Sequence, residues 1–107
     1  MAKWDNKKSE ELFKAILKLK NIKEAKNFFR DLLTEKEIIE FGNRWKAVGM
    51  LDKRVPYTKI EKETGLSSRT VARISKWLQN GKGGYGLILK RVNRNHKKKS
   101  PPRIKYQ

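Results

Sequence analysis

The chain has 107 residues, no cysteine and a formal net charge of +17 at pH 7, with a sequence pI of about 10.3. This length predicts a single domain, and the charge favours a polyanionic partner, nucleic acid or an anionic surface, over a neutral metabolite. The lack of cysteine excludes disulfides and thiolate metal sites and fits a reducing cytoplasm. No apolar run approaches the ~20 residues that span a bilayer, and the N-terminus lacks the apolar core of a secretory signal.

The N-terminal half predicts three helices in succession. Residues 1–8 are expected to be frayed, and Ser9 is expected to be the N-cap of a first helix over about 10–20. Asn21 with Glu24 resembles a capping box and predicts the start of a second helix. The same kind of box begins the longest predicted helix, over about 35–52, and its two residues are Thr34 and Glu37.

The third predicted helix is apolar over more than one face. A surface helix of a monomer needs only one apolar stripe, so this pattern predicts a central helix with neighbours on several sides. Gly42 and Gly49 lie on one face of it, where either a dimer contact or close packing within the chain would use them. The helix is expected to end at Val55-Pro56, because the residue before proline avoids helical angles.

Residues 57–79 predict a helix-turn-helix with its hinge at Gly65 and an N-cap at Ser67. The apolar stripe of the second helix comprises Val71, Ile74 and Leu78. Its opposite side carries Arg69, Ala72, Arg73 and Lys76. A thin buried stripe opposite a basic one is typical of a helix that enters the major groove. The alternative is an ordinary helical hairpin with a solvated charged face, and Glu61 departs from the small residue usual where the two helices touch.

The C-terminal part predicts a flexible Gly-rich joint over 80–86, a short amphipathic helix and a basic tail. The joint lacks the preceding strand and the GK[ST] ending of a phosphate loop, so nucleotide binding is not expected. From Lys90 to the end there are eight Lys or Arg and no acid, which predicts disorder. Such a tail either keeps the protein soluble or lies along phosphates as an arm.

The sequence offers no catalytic or metal centre. It contains no carboxylate pair, no Ser/His/Asp set and no cluster with metal-ligand spacing, and the single histidine, His96, is expected to be solvated in the tail. We therefore expect no enzyme activity, no metal and no cofactor.

Residues 33–89 resemble the Trp repressor superfamily, and most closely its YerC/YecD-type branch, which has no established co-repressor. The resemblance rests on LTEKEIIEFGNRWKAVGML, YTKIEKETGLSSRTVARIS and GKGGYGLIL at matching spacing. It implies an all-α, Trp repressor-like helical bundle in which two chains intertwine as a homodimer. Two helix-turn-helix units would then reach successive major grooves. The domain is expected to cover 9–92, with the basic tail over 93–107.

The resemblance also implies a candidate ligand pocket. Arg44 and Arg73 match the two arginines that sandwich the indole in Trp repressor, and Thr34 and Thr70 match positions that line the pocket. The alternative for Arg44 is an ion pair with a neighbouring carboxylate. Arg73 is ambiguous, because periodicity directs it to the groove of DNA and the resemblance directs it to the pocket.

Two positions depart from the tryptophan-binding members. Ile74 and Trp77 stand where those members have small residues. We therefore expect no requirement for tryptophan, and any small-molecule effector stays unknown.

Together these features predict a bacterial, cytoplasmic, nucleoid-associated transcriptional regulator, a repressor that binds double-stranded DNA as a homodimer and contacts no membrane. Base edges are expected to meet Ser68, Arg69, Thr70, Ala72 and Arg73. Phosphates are expected to meet Lys59, Ser67, Lys76 and the tail. The alternatives are a non-specific nucleic-acid protein of nucleoid or RNA type, driven by basic charge, and a helical module that presents its basic face to an acidic protein.

Overall fold

A computed structural model describes residues 2–95, in which every regular element is an α-helix. The helices are α1 (Lys7–Ile16), α2 (Ile22–Leu32), α3 (Glu35–Asp52), α4 (Tyr57–Thr64), α5 (Ser68–Asn80) and α6 (Gly84–Asn95). The predicted all-α fold is thus confirmed, and none of these helices is long and apolar enough to cross a membrane. Packing divides the chain into a first unit that ends at Ile39 and a second that begins at Glu40.

The start of α1 differs from the sequence prediction. Asn6, not Ser9, is the N-cap, and its side chain accepts a hydrogen bond from the Ser9 amide at 3.0 Å. The Ser9 hydroxyl accepts one in return from the Asn6 amide, also at 3.0 Å. Asparagine caps a helix as well as serine does, and the upstream cap lets both side chains bond. The helix therefore begins at Lys7, inside the stretch predicted to be frayed.

The junction between α1 and α2 is tighter than expected. Instead of continuing to about residue 20, α1 ends at Ile16, and the amides of Lys18 and Leu19 bond to carbonyls three residues back. The predicted cap of α2 is present, with the Asn21 side chain accepting from the Glu24 amide at 2.9 Å. The Glu24 carboxylate accepts a hydrogen bond at 2.9 Å from the backbone amide of Lys20, the residue before the cap.

The two helices of the first unit bury no residue completely. Each has a clear apolar side, yet Phe13, Leu17 and Ile22 are 47%, 82% and 73% exposed. An amphipathic helix owes most of its stability in a protein to burial of its apolar side. The first unit therefore exposes apolar surface that a single chain leaves in solvent.

The capping box of α3 is confirmed. The Glu37 carboxylate accepts from the Thr34 amide at 2.9 Å, and the Thr34 hydroxyl accepts from the Glu37 amide at 3.1 Å. At its other end the chain reverses through Arg54, whose φ of 63° lies in the left-handed region. Amide bonds from Val55 to the Met50 carbonyl and from Arg54 to that of Leu51 complete a Schellman motif.

The broad apolar surface of α3 is buried in one half of the helix and exposed in the other. Its buried residues all lie in the C-terminal half, and they are Ala47, Val48, Met50 and Leu51. Phe41 and Trp45, further towards the N-terminus, are 51% and 40% exposed. A Cβ built on Gly42 or Gly49 would meet nothing within 4 Å, so close packing within the chain does not require these glycines. A dimer contact at this face stays a prediction.

The second unit has one apolar core, to which four helices contribute. Its buried members are Ala47, Val48, Met50 and Leu51 of α3, Ile60 of α4, Val71 and Ile74 of α5, and Leu89 of α6. The apolar stripe predicted for α5 is confirmed, because Val71 and Ile74 are fully buried and Leu78 packs partly buried against the core. Complete burial of such a side chain contributes about 1.5–3 kcal/mol. This core holds α4, α5 and α6 in fixed mutual positions and so fixes the surfaces that they expose.

The joint after α5 is shorter than predicted. Because α5 continues to Asn80 and α6 begins at Gly84, only residues 81–83 connect them. A Cβ on Gly81 would lie 2.5 Å from the Trp77 carbonyl oxygen, so this position requires glycine. Leu89 of α6 is buried in the core, and α6 extends to Asn95, so residues 93–95 are helical instead of part of the tail. Residues 96–107, with His96, lie outside the described residues.

Candidate nucleic-acid interface

The turn between α4 and α5 is held by backbone geometry and by one buried side chain. Gly65 adopts a φ of 74°, and its amide donates to the Glu61 carbonyl at 2.8 Å. The Thr64 hydroxyl, which is buried, donates to the Ile60 carbonyl at 2.7 Å and accepts from the Leu66 amide at 3.2 Å. These bonds satisfy the end of α4 and fix where α5 starts. Sequence periodicity did not predict that Thr64 stabilises this turn.

The first turn of α5 is capped as predicted. The Ser67 hydroxyl accepts from the Thr70 amide at 3.1 Å and donates to the Thr70 hydroxyl at 3.0 Å. Both hydroxyls are therefore engaged with each other. Ser68 and Arg69, between them, are exposed and make no hydrogen bond or ion pair within residues 2–95. Two unengaged polar side chains thus project from the beginning of a rigidly capped helix.

The two sides of α5 differ sharply in burial. Val71 and Ile74 are fully buried, and Ser75, which was not predicted to be inward, is 6% exposed. Its hydroxyl accepts from Gln79 at 3.3 Å, so a small polar residue fits the core side. The other side exposes Arg69, Ala72, Arg73 and Lys76, as predicted.

The cations on the exposed side of α5 are uncompensated. Arg69 and Arg73 stand four residues apart, and Arg73 and Lys76 stand three apart, spacings at which like charges on a helix repel. Within the described chain, none of these side chains forms an ion pair. This side of α5 therefore presents a field that favours an anion.

Lys59 of α4 has a different environment. Its ammonium group lies 3.8 Å from the Glu63 carboxylate, and both side chains are well exposed, at 64% and 43%. An exposed pair of this kind is worth little and leaves the lysine free to exchange partners. A phosphate contact by Lys59 stays a prediction.

Three of the four candidate pocket residues are engaged in other interactions. Arg44 pairs with Glu40 at 2.7 Å, which is the alternative weighed for it, and its Nε is buried without a hydrogen-bond partner in the part described. Thr34 caps α3 in the first unit and Thr70 bonds to Ser67, while Arg73 is exposed. A shared ligand site for these four stays a prediction.

The two departures from the tryptophan-binding pattern lie in different surroundings. Ile74 is fully buried in the core, whereas Trp77 is 44% exposed. Trp77 lines an open apolar groove of about 900 Å³, together with Trp45, Tyr85, Ile88 and the joint. The rings of Trp45 and Tyr85 have centroids 6.3 Å apart. Periodicity within single helices does not predict this groove, because the groove depends on how α6 packs.

No metal site is found among residues 2–95, where no group of three or more His, Cys, Asp or Glu side chains comes together. The surfaces that stand out there are the basic side of α5 and the aromatic groove.

Comparison with known proteins identifies the family. The Trp repressor protein family matches residues 7–93. An uncharacterised protein from Bacillus subtilis, YerC, is 40% identical over 86 residues, which cover 80% of this chain and 83% of YerC. The crystal structure of a TrpR-like protein from Eubacterium eligens has a TM-score of 0.80 at 35% identity and covers 85% of this chain and 94% of its own. A Trp repressor candidate from Staphylococcus aureus has a TM-score of 0.79, also at 35% identity, over 87% and 96%. The chain belongs to the Trp repressor family.

Proposed function

We propose that the protein is a cytoplasmic, dimeric transcriptional regulator, acting as a repressor, whose α4–α5 unit is a helix-turn-helix that reads double-stranded DNA. The observation that carries this proposal is the exposed, uncompensated basic side of α5, opposite its buried side. A capped helix with this division can lie in a major groove while the core holds it from behind. Membership of a family of regulators supports a binding function and gives no support to an enzymatic one.

The side chains of α5 divide into two roles in this proposal. Those at its beginning and along its exposed side, Ser68, Arg69, Thr70, Ala72 and Arg73, contact base edges. Arg69 has the greatest reach, since a guanidinium can bond both O6 and N7 of guanine. Ser67, Lys59 and Lys76 contact phosphates, which position the protein without reading sequence.

The homodimer is supported by the apolar surface that one chain leaves exposed. The apolar sides of α1 and α2 have no fully buried residue, and the aromatic groove beside α6 is open. A chain of about 100 residues buries only about 65% of its surface alone, so a second copy on these faces would add substantially to stability. Sedimentation at micromolar concentration should give twice the 12.6 kDa chain mass. A stable folded monomer would remove the dimer from the proposal.

DNA binding in this proposal does not require L-tryptophan. The fully buried Ile74 and the indole of Trp77 occupy positions that are small in tryptophan-binding members. At the fully buried Ile74, overfilling a packed site typically costs ~1–3 kcal/mol, which disfavours an added indole ring. DNA affinity should therefore be equal with and without millimolar tryptophan. Tighter DNA binding with tryptophan would contradict this. It should come with a higher melting temperature, because a ligand at 100 times its Kd adds ~2.7 kcal/mol to the free energy of unfolding.

Selection from a random duplex pool tests the proposal as a whole. A dimer with two such units should enrich an inverted repeat whose half-site centres lie ~10 bp apart or at a multiple of that spacing. An enriched pool without a shared motif would remove sequence recognition and leave charge-driven binding.

That second candidate, a non-specific nucleic-acid protein, has its own supporting observation. From Thr64 to the C-terminus there are twelve Lys or Arg and no acid. Such a distribution can bind any duplex or RNA through phosphates alone. Equal competition by random duplex and by the selected duplex would favour it.

A further inference from the structure

The exposed side of α6 carries a second cluster of cations, apart from that of α5. Lys90, Arg91 and Arg94 are all exposed, and we name these three residues the α6 basic face. On its other side, α6 buries Leu89 and half-buries Tyr85 against the core. None of the three cations makes an ion pair within residues 2–95.

The arrangement of these cations is unfavourable for the helix by itself. Lys90 and Arg94 stand four residues apart, and Arg91 and Arg94 stand three apart, so each pair repels. Cations are favoured near a helix C-terminus, but that effect fades within the last turn and therefore accounts only for Arg94. The face is better explained by an anionic partner than by helix stability.

Three other helices carry opposite charges, instead of like charges, at a spacing of four residues. Oppositely charged side chains four residues apart pair on α1, α3 and α4. The pairs are Glu10–Lys14, Glu40–Arg44 and Lys59–Glu63. No such pair occurs on the described part of α5 or α6, although both helices are basic. Helices α5 and α6 thus share one property, which is that each carries cations and no acidic residue, and for α5 the proposed partner is DNA.

We infer that the α6 basic face is a second phosphate-binding surface, which contacts the backbone of duplex DNA outside the bases read by α5. This inference rests on the proposed function and extends the contacted length of DNA. The face has no aromatic side chain on which an unpaired base could stack, so a duplex fits it better than single-stranded nucleic acid. Lysine and arginine address phosphates without base preference.

The fold also prepares this surface for binding. Leu89 of α6 shares one core with Val71 and Ile74 of α5, so the backbones that carry both basic faces are held by the same packing. Side chains on a preorganised helix lose less conformational freedom on binding than those of a flexible segment. The contact should therefore add to affinity even without the segment that follows residue 95.

The test compares two full-length triple variants. One replaces Lys90, Arg91 and Arg94 by glutamine, and the control replaces Lys18, Lys23 and Lys26, which are also exposed, by glutamine. Each variant loses three positive charges. Binding is measured against salt concentration with two fluorescent duplexes that carry the selected site, one trimmed to ~20 bp and one extended to ~40 bp by flanking sequence.

On the long duplex, the α6 variant should bind ~10- to 100-fold more weakly at 0.1 M salt, and its log–log salt slope should be shallower by up to ~2.7, or ~0.9 per lost contact. Preference for the selected site over random duplex should not change. The control should stay close to wild type. A further variant, Arg91→Lys with Arg94→Lys, keeps the charges and should keep the salt slope, and melting curves verify folding.

Several results would overturn the inference while leaving the proposed function intact. The first is an equal loss of affinity in the α6 and control variants, which would indicate an effect of net charge alone. The second is no loss of affinity in either variant, and the third is a change in base preference. Tighter binding of a hairpin RNA of equal length than of the duplex would reject DNA as the occupant. If wild type bound no duplex at all, the proposed function would fail first and the inference with it.

Discussion

The chain up to Glu63 and the chain beyond it differ in the balance of basic and acidic residues. The first part has sixteen Lys or Arg and eleven acids, and the second has twelve Lys or Arg and no acid. In the first part, α1, α3 and α4 carry pairs of opposite charge at helical spacing. In the second part, α5 and α6 expose cations without partners.

Under the proposed function, this difference in charge distinguishes helices that only face water from helices that meet DNA. Alternating charges let a helix face water with little net field, whereas a helix that carries only cations concentrates a positive field at its surface. The backbone shows no matching division, because α3 and α4 share one core with α5 and α6. A common core thus supports helices whose exposed sides differ in charge.

The largest expected effect comes from deleting residues 96–107, which contain five Lys or Arg. If this segment lies along phosphates, affinity for every duplex should fall ~100- to 1,000-fold and the salt slope should become shallower by up to ~4.5. The control replaces Lys18, Lys20, Lys23, Lys26 and Lys36 by glutamine. An unchanged salt slope after the deletion would assign the segment to solubility alone.

A smaller and different effect is expected for Arg69→Ala. This arginine is exposed at the start of α5 and makes no ion pair within the described chain. Losing a bidentate contact to guanine should reduce discrimination between the selected and altered sites by ~1–3 kcal/mol. Lys76→Ala is the matched control and should weaken all duplexes alike. Equal behaviour of the two variants in competition binding would mean that α5 does not read bases.

Gly81→Ala tests whether the joint holds the two basic helices in place. The new Cβ would lie 2.5 Å from the Trp77 carbonyl oxygen, a backbone atom that cannot move aside cheaply. The free energy of unfolding should fall by about 1–2 kcal/mol in denaturant titration. In Gly86→Ala the new Cβ meets nothing within 4 Å and helix propensity should make the change neutral or stabilising. A stability loss of the same size in both variants would show that helix α6, not the joint, is the sensitive part.

The smallest effect should come from Glu40→Gln, which removes the partner of Arg44. The pair is short, at 2.7 Å, but its side chains are 39% and 50% exposed. Exposed pairs contribute about 0–1 kcal/mol, so thermal melting should hardly change. A loss of stability well above this range would show that this ion pair of the first part stabilises the fold. The two parts would then differ less in the role of their surface charges.

Most of the helical architecture follows from local sequence. The caps at Asn21, Thr34 and Ser67 and the hinge at Gly65 could be predicted because each satisfies backbone groups within four residues. The misplaced start of α1 arose because Asn6 and Ser9 are both good caps, and only their reciprocal bond decides between them.

Features that depend on tertiary packing were not predictable in the same way. Local periodicity predicted a short amphipathic helix after the joint but not its bounds, since α6 begins at Gly84 and continues to Asn95. The aromatic groove brings Trp45 of α3 beside Tyr85 of α6, forty residues later in the chain. Periodicity did predict the two sides of α5, because burial of one side leaves the other exposed.

Competition binding tests the central claim, that the basic side of α5 reads DNA sequence, most directly. The full-length protein is bound to a duplex selected from a random pool, at one fixed salt concentration, and displaced by either the same duplex or a random duplex. The selected duplex should compete ~10³-fold better or more, because specific binding adds base contacts to the phosphate contacts that any duplex offers. Equal competition by the two duplexes would contradict sequence recognition and leave a protein that binds by charge alone.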